Sequence, residues 1–97
     1  MLPSQILHQN RSKVLETMIH YPMLTNLRVF GSVARGEDTE DSDIDFMVDA
    51  LPGTTLFDLG GMQAALEKLL GWPVHLLTPS ELPKKFRDES LREAKPL

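Results

Sequence analysis

Apolar residues recur at helical and strand spacings along the whole chain, and glycine and proline residues separate these segments. Over residues 4–20 the intervals are three, four and seven, which predicts a helix with Ser4 as its N-cap. Its apolar positions are Leu7, Val14, Leu15, Met18 and Ile19. Tyr21-Pro22 ends this helix, because a residue before proline disfavours the helical conformation. Residues 26–30 alternate as a short strand and lead directly into Gly31, which ends the strand.

The apolar pattern in the second half of the chain predicts three further elements and a final helix. Residues 42–49 alternate, with Ile44, Phe46 and Val48 on one face and Asp43, Asp45 and Met47 on the other. Residues 56–70 have helical spacing and end at Gly71, 73–77 form a third strand, and a turn at 78–81 opens a last helix through about residue 94. The order α-β-β-α-β-α predicts one α+β (mixed α/β) domain over residues 1–97, with a small mixed sheet of three or four strands packed against helices.

The amino-acid composition argues against several classes of function. The absence of cysteine excludes a disulfide scaffold, a thiolate nucleophile and a cysteine-based zinc site. Ten Lys and Arg against fourteen Asp and Glu give a net charge of −4, which argues against direct nucleic-acid binding by an overall positive field. No window approaches eighteen apolar residues, so we expect a cytoplasmic protein without a membrane segment.

Half of the acidic residues are concentrated in one short segment. Glu37, Asp38, Glu40 and Asp41 lie in a polar stretch, and we expect them to be solvated loop residues. Asp43 and Asp45 differ, since two residues on one face of a strand lie about 6.6 Å apart and can converge on a cation. Their oxygen ligands suit Mg²⁺ or Mn²⁺.

Two other known motifs match this region only in part. Asp41, Asp43 and Asp45 match the first three ligand positions of a calcium-binding EF-hand loop. The sixth position, however, is Phe46 and the twelfth is Pro52, which disfavours that motif. The segment from Gly31 to Gly36 is not a Walker A loop either, because the required Gly-Lys-Ser/Thr ending is absent.

A glycine directly after a strand allows a ligand to approach the backbone, and the next residues can bind phosphate. Ser32 offers a hydroxyl and a backbone N–H, and Arg35 can add a guanidinium contact. Gly31-Ser32, ten intervening residues and Asp43-x-Asp45 together arise by chance on the order of once per thousand chains of this size. The combination therefore indicates a site for a phosphate group and a metal.

These motifs make the chain resemble the minimal nucleotidyltransferases of the DNA polymerase beta superfamily, and in particular the MntA-type antitoxins of HEPN/MNT toxin–antitoxin systems. The resemblance implies that Gly31 and Ser32 bind the triphosphate of ATP, with Arg35 beside them, and that Asp43 and Asp45 are catalytic ligands of Mg²⁺. The implied reaction transfers AMP from ATP to a hydroxyl, expected to be a tyrosine of a HEPN-domain (HepT-like) toxin partner.

One position departs from the family pattern. Members usually carry a third carboxylate on the later strand, where this chain has His75. His75 is interpreted either as an ordinary strand histidine or as a catalytic residue that binds Mn²⁺ or takes a proton from the acceptor. Asp49 lies about 13 Å beyond Asp45 on its strand and cannot replace the missing acid. The alternative function is therefore a protein of the same fold that neutralises its partner by binding alone.

Overall fold

The alternating segments pair into one four-stranded sheet in the computed structural model, which describes residues 1–97. The helices are α1 (Pro3–Gln9), α2 (Arg11–Thr17), α3 (Gly31–Arg35), α4 (Leu56–Leu70) and α5 (Lys84–Glu93). The strands are β1 (Leu24–Phe30), β2 (Ile44–Ala50), β3 (Val74–Leu77) and β4 (Lys95–Pro96). The sheet order is β3-β2-β1-β4, with β1 antiparallel to both neighbours and β2 parallel to β3. This mixed sheet confirms the predicted α+β class.

Both faces of the sheet are covered. Ile44, Phe46 and Val48 of β2 are fully buried in the main core, which includes residues of α1, α2 and α4. On the other face Met47 is also fully buried, and it packs with Phe30 and Leu82. The two faces predicted for this strand are confirmed, although the face opposite the main core is more buried than a half-exposed strand would be.

Helix α4 has the predicted bounds because its ends carry clear stop signals. The Thr55 hydroxyl accepts a hydrogen bond from the Asp58 N–H at 3.3 Å, and the Asp58 carboxylate accepts one from the Thr55 N–H at 2.8 Å. This reciprocal pair satisfies N–H groups of the first turn. At the other end Gly71 adopts φ +62°, which a left-handed C-terminal cap requires.

The predicted single helix over residues 4–20 is wrong. The chain forms α1 and α2, separated by Asn10, followed by a 3₁₀ turn at Met18–His20. The Asn10 side-chain amide donates a hydrogen bond to the Ile6 carbonyl at 2.8 Å, a local bond that competes with helix propagation. Leu7 and Val14 are buried as predicted, whereas Ile19 is 76% exposed.

Ser4 is not the N-cap that the sequence predicted. Helix α1 begins at Pro3, after an extended Leu2. The Ser4 backbone N–H instead donates a hydrogen bond to the Asp38 carboxylate at 2.9 Å. Asp38 therefore satisfies a free N–H in the first turn of α1, and its expected role as a solvated loop residue is also wrong.

The C-terminal region contains a strand that the sequence pattern did not indicate. A 3₁₀ turn at Pro79–Glu81 precedes α5, which ends at Glu93, and the chain then pairs with the edge of β1. Lys95 lies opposite Val29, and Pro96 lies opposite Arg28. The fourth strand is therefore the final segment of the chain. None of the helices is both long enough and apolar enough to cross a membrane.

Candidate active site

The turn after β1 lies directly against the acidic strand. Phe30 is paired with Asp45 in the antiparallel register, so the next residue, Gly31, passes beside the Asp45 side chain. Gly31 has φ +72°, and a Cβ atom there would collide with Oδ2 of Asp45. Glycine is required both by the backbone conformation and by this close approach. The predicted phosphate-binding turn and the predicted metal ligands are thus brought together.

His75 lies at the same end of the sheet. It is opposite Asp45 in the parallel register of β2 and β3, and its Nε2 atom lies 2.8 Å from Oδ2 of Asp43. Asp43 immediately precedes β2, and both side chains are partly open to solvent, at 56% exposed for His75 and 41% for Asp43. The structure therefore places His75 in contact with a predicted metal ligand.

Asp45 is the most electrostatically perturbed carboxyl group of the site. Burial raises its pKa, His75 and Arg35 lower it, and the negative charges of Asp43 and Glu93 raise it further, with a net upward shift. No salt bridge in the chain involves Asp45. A carboxylate that is partly buried without a paired cation fits a divalent metal ion, whose charge would lower its pKa.

The side chains that could hold a metal are few. The structure has no group of three or more His, Asp and Glu side chains arranged to hold a metal ion. Asp43 and Asp45 supply two carboxylates, and Mg²⁺ commonly binds through one or two carboxylates together with substrate phosphates and water. The donor set therefore fits a metal that binds with a nucleotide better than a metal enclosed by protein ligands.

The loop before β2 fixes the position of Asp43. The Trp72 indole N–H donates a hydrogen bond to the Ser42 carbonyl at 2.7 Å. The Ile44 N–H donates another to the Pro73 carbonyl at 3.1 Å. Asp43 lies between these two anchored backbone positions, so the loop before β3 restrains it from both sides.

Arg35 was predicted to bind phosphate, and in this structure it binds two carboxylates. Its Nε atom donates to Glu37 at 3.1 Å, and its Nη1 atom donates to the two oxygens of Glu93 at 2.9 and 3.1 Å. The hydrogen bonds that Arg35 donates to Glu93, and to a smaller extent to Glu37, raise the pKa of Arg35. In this structure the guanidinium is therefore paired within the chain, and its contact with phosphate stays a prediction.

Glu93 is the site residue that the sequence reasoning missed. Its Oε1 atom accepts a hydrogen bond from the Gly31 N–H at 3.0 Å. Nothing in the local pattern distinguishes Glu93 from the other charged residues of α5, since its position depends on the pairing of β4 with β1. Asp49, which cannot replace the third carboxylate, pairs with Arg28 at 2.7 Å, and the more distant acids Asp58 and Glu81 bind Thr55 and Thr78.

A family model described as the nucleotidyltransferase domain matches residues 11–97. The chain belongs to the nucleotidyltransferase domain family. A candidate protein adenylyltransferase of Methanocaldococcus jannaschii is 41% identical over 66 residues, which span 68% of this chain and 71% of that protein. The protein adenylyltransferase MntA of Thermococcus cleftensis is 42% identical over 65 residues, spanning 67% of this chain and 66% of the relative.

Solved structures support the same assignment for this nucleotidyltransferase. The structure of a candidate minimal nucleotidyltransferase has 41% sequence identity and a TM-score of 0.83, covering 97% of this chain and 95% of that one. A toxin–antitoxin crystal structure with AMP-PNP has a TM-score of 0.74 at 22% identity, covering 90% of this chain and 71% of the other. At that identity the second likeness shows the fold alone. The resemblance inferred from Gly31-Ser32 and Asp43-x-Asp45 is confirmed at the level of the family.

Proposed function

We propose that this nucleotidyltransferase is a metal-dependent protein adenylyltransferase and an antitoxin. It transfers AMP from ATP to a tyrosine hydroxyl of a HEPN-domain (HepT-like) toxin, with Mg²⁺ as the metal and Mn²⁺ as the alternative. The observation that carries the proposal is the contact between the Gly31 backbone and the Asp45 carboxylate. It brings a phosphate-binding turn next to a metal ligand, as transfer of a nucleotidyl group requires.

Each residue of the site has a role in binding. The Gly31 N–H and the Ser32 hydroxyl and N–H bind the phosphate groups of ATP, and Arg35 neutralises part of their charge. Asp43 and Asp45 hold the metal ion, which supplies positive charge to the phosphates when bound. His75 contacts Asp43 and holds its carboxylate in one orientation.

The reaction is an in-line displacement at phosphorus. The tyrosine oxygen forms a bond to the α-phosphorus of ATP, and the bond from that phosphorus to the bridging oxygen breaks, releasing pyrophosphate. The hydroxyl proton passes to a base, and the imidazole of His75 is the group of the site suited to accept it. Most of the rate enhancement comes from positioning and from charge neutralisation.

The names of similar proteins support the substrate and the partner. The Thermococcus cleftensis relative is named a protein adenylyltransferase. One neighbour in fold is a toxin–antitoxin structure with AMP-PNP, and another is an MntA toxin–antitoxin mutant. A second function, neutralisation of the toxin by binding alone, is favoured by one observation: the residue opposite Asp45 on β3 is His75 and not a carboxylate.

The test is transfer of label from α-labelled ATP to the HEPN partner in the presence of Mg²⁺ or Mn²⁺. Wild type should label the partner, and the double variant Asp43→Asn/Asp45→Asn should not. Asp41→Asn is the matched control, because Asp41 is an exposed acid just before the site. A stable complex that suppresses the toxin without any label would contradict the transferase proposal and support neutralisation by binding.

A further inference from the structure

The carboxylate of Glu93 occupies an anion-binding position at the turn after β1. It accepts hydrogen bonds from the Gly31 backbone N–H at 3.0 Å and from the Arg35 guanidinium at 2.9 and 3.1 Å. Its side chain is only 17% exposed, although α5 has no buried residue. The side chain of Glu93 therefore packs into the site, whereas α5 is otherwise largely exposed to solvent.

The pairing of β4 with β1 sets this position. Lys95 lies opposite Val29 and Pro96 opposite Arg28, so this pairing holds the end of α5, with Glu93, beside the end of β1, which Gly31 follows directly. Two residue pairs, a hydrogen bond from the Leu97 N–H to the Leu27 carbonyl at 3.4 Å, and packing of Leu97 against the main core attach this segment to the sheet. So short an edge pairing separates at low free-energy cost compared with the central strands.

A phosphate group needs the donors that Glu93 uses. Phosphate and the Glu93 carboxylate are both oxygen anions that bind backbone N–H and guanidinium groups. The single Gly31 N–H cannot donate to the two groups at once. The negative charge of Glu93 also contributes to the raised pKa of Asp45, so it disfavours further negative charge beside that carboxylate.

We propose that Glu93 is a built-in competitor of the nucleotide, and that ATP binds at Gly31 and Arg35 only when the Glu93 carboxylate leaves and β4 detaches from β1. This inference rests on the proposed function, because it takes the triphosphate as the competing anion. It makes the C-terminal segment a gate: any interaction that holds β4 away from the sheet increases nucleotide affinity, and any that secures β4 decreases it.

The first test measures the affinity for ATP with Mg²⁺ by calorimetry. Glu93→Gln and Glu93→Ala should bind at least about threefold more tightly than wild type, because a smaller fraction of the variant is blocked. Glu89→Gln removes one negative charge from an exposed position on the same helix and should leave the affinity unchanged. Tripolyphosphate should show the same order of affinities, since the competition is for the phosphate groups.

The second test needs no variant. In the ¹⁵N–¹H spectrum of wild type, ATP with Mg²⁺ should shift the amide signals of Gly31 and of residues 95 and 97 together, because the ligand displaces the whole segment. A shift of Gly31 without any change at the C-terminus would overturn the competition.

The outcomes separate this inference from the proposed function. If wild type binds ATP in a manner that depends on Asp45, and neither Glu93 variant binds more tightly, the competition is wrong and the proposed site stands. If no form of the protein binds ATP, including the two Glu93 variants, both fail. Weaker binding by both variants would make Glu93 part of the nucleotide site and would also overturn the competition.

Discussion

At the scale of single residues, Gly31 differs from every other glycine of the chain in what surrounds it. Gly31 and Gly36 have nearly the same backbone conformation, with φ +72° and +71°. A Cβ at Gly36 would meet nothing within 4 Å, whereas a Cβ at Gly31 would collide with the Asp45 carboxylate. Substitutions at these two glycines can therefore separate the cost of the backbone conformation from the effect on the site.

We predict that Gly31→Ala and Gly36→Ala each lower the free energy of unfolding by roughly 1–2 kcal/mol, the cost of a left-handed conformation. The Asp45 carboxylate is the end of a side chain and can rotate away from the new methyl group. That rotation misplaces a metal ligand, so only Gly31→Ala should lower adenylyl transfer by more than about tenfold. Urea unfolding and transfer of label measure the two effects. Equal activity of the two variants would show that Asp45 does not need this position.

His75 is a residue whose replacement should increase activity. His75→Asp places a carboxylate next to Asp43 and Asp45, and Mg²⁺ prefers oxygen ligands to imidazole. We predict that turnover with Mg²⁺ rises by at least about twofold, the gain expected from a further ligand oxygen at the metal. His75→Asn, which supplies neither a ligand carboxylate nor a basic nitrogen, should lower turnover. A smaller rise in the Asp variant would mean that His75 does not occupy the place of the third carboxylate.

The candidate site shows which residues a sequence can reveal. Gly31, Ser32, Asp43 and Asp45 lie within fifteen residues, and their types and spacing carry the chemistry without any knowledge of tertiary contacts. Glu93 reaches the same place from the end of the chain through pairing of distant backbone segments. Since its position depends on long-range register, no local pattern could indicate it.

At the scale of elements, strong local sequence signals predicted the bounds of an element correctly, and weak signals did not. Helix α4 has a reciprocal cap at Thr55 and a left-handed glycine at its end, so its bounds are readable from the sequence. Strand β4 has only two residues and one of them is proline, and such a segment has no periodicity. The apolar pattern does not reveal the break at Asn10, because Leu7 and Val14, which lie on either side of it, are seven residues apart as they would be in one continuous helix.

The contact between Asp38 and α1 gives a pH-dependent prediction. Burial raises the pKa of Asp38, but hydrogen bonds from Ser4 and from its own backbone lower it by more, so the net pKa lies below its ordinary value of 3.8. A lowered pKa in the folded state stabilises the protein above pH 3.8, and this contribution is lost as the pH falls through the lowered value.

We therefore predict that Asp38→Asn lowers the free energy of unfolding by up to about 1 kcal/mol at pH 7, because asparagine keeps an acceptor oxygen but loses the charge that strengthens the hydrogen bond at the start of α1. The difference from wild type should shrink as the pH falls from 3.8 towards the lowered pKa of the folded state, below which Asp38 is protonated in both the folded and the unfolded state. Urea unfolding from pH 7 down to about pH 2.5 measures it, and Asp41→Asn controls for the loss of one exposed charge. A difference that stays constant with pH would show that the hydrogen bond does not depend on ionisation.

At the scale of the whole molecule, the charge distribution explains why ligand binding and stability should be coupled. The chain has a net charge of −4, and the site brings Asp43, Asp45 and Glu93 close to the same backbone turn. Like charges at one place destabilise the folded state unless a cation offsets them. A metal ion bound with the nucleotide supplies that positive charge, so the complex should be more stable than the free protein.

The expected size follows from mass action. ATP with Mg²⁺ at ten times its Kd stabilises the folded state by about 1.4 kcal/mol, which for a domain of this size raises Tm by roughly 5–10 °C. ATP with a chelator should give a much smaller rise, because the phosphates then meet Asp43 and Asp45 without a cation between them. Asp45→Asn should lose most of the magnesium-dependent part of the rise, and Asp41→Asn should keep it. Differential scanning fluorimetry measures Tm for wild type and the two variants, each alone and with ATP in the presence of Mg²⁺ or of a chelator. A rise that is equal with and without the metal would place the nucleotide away from the two carboxylates.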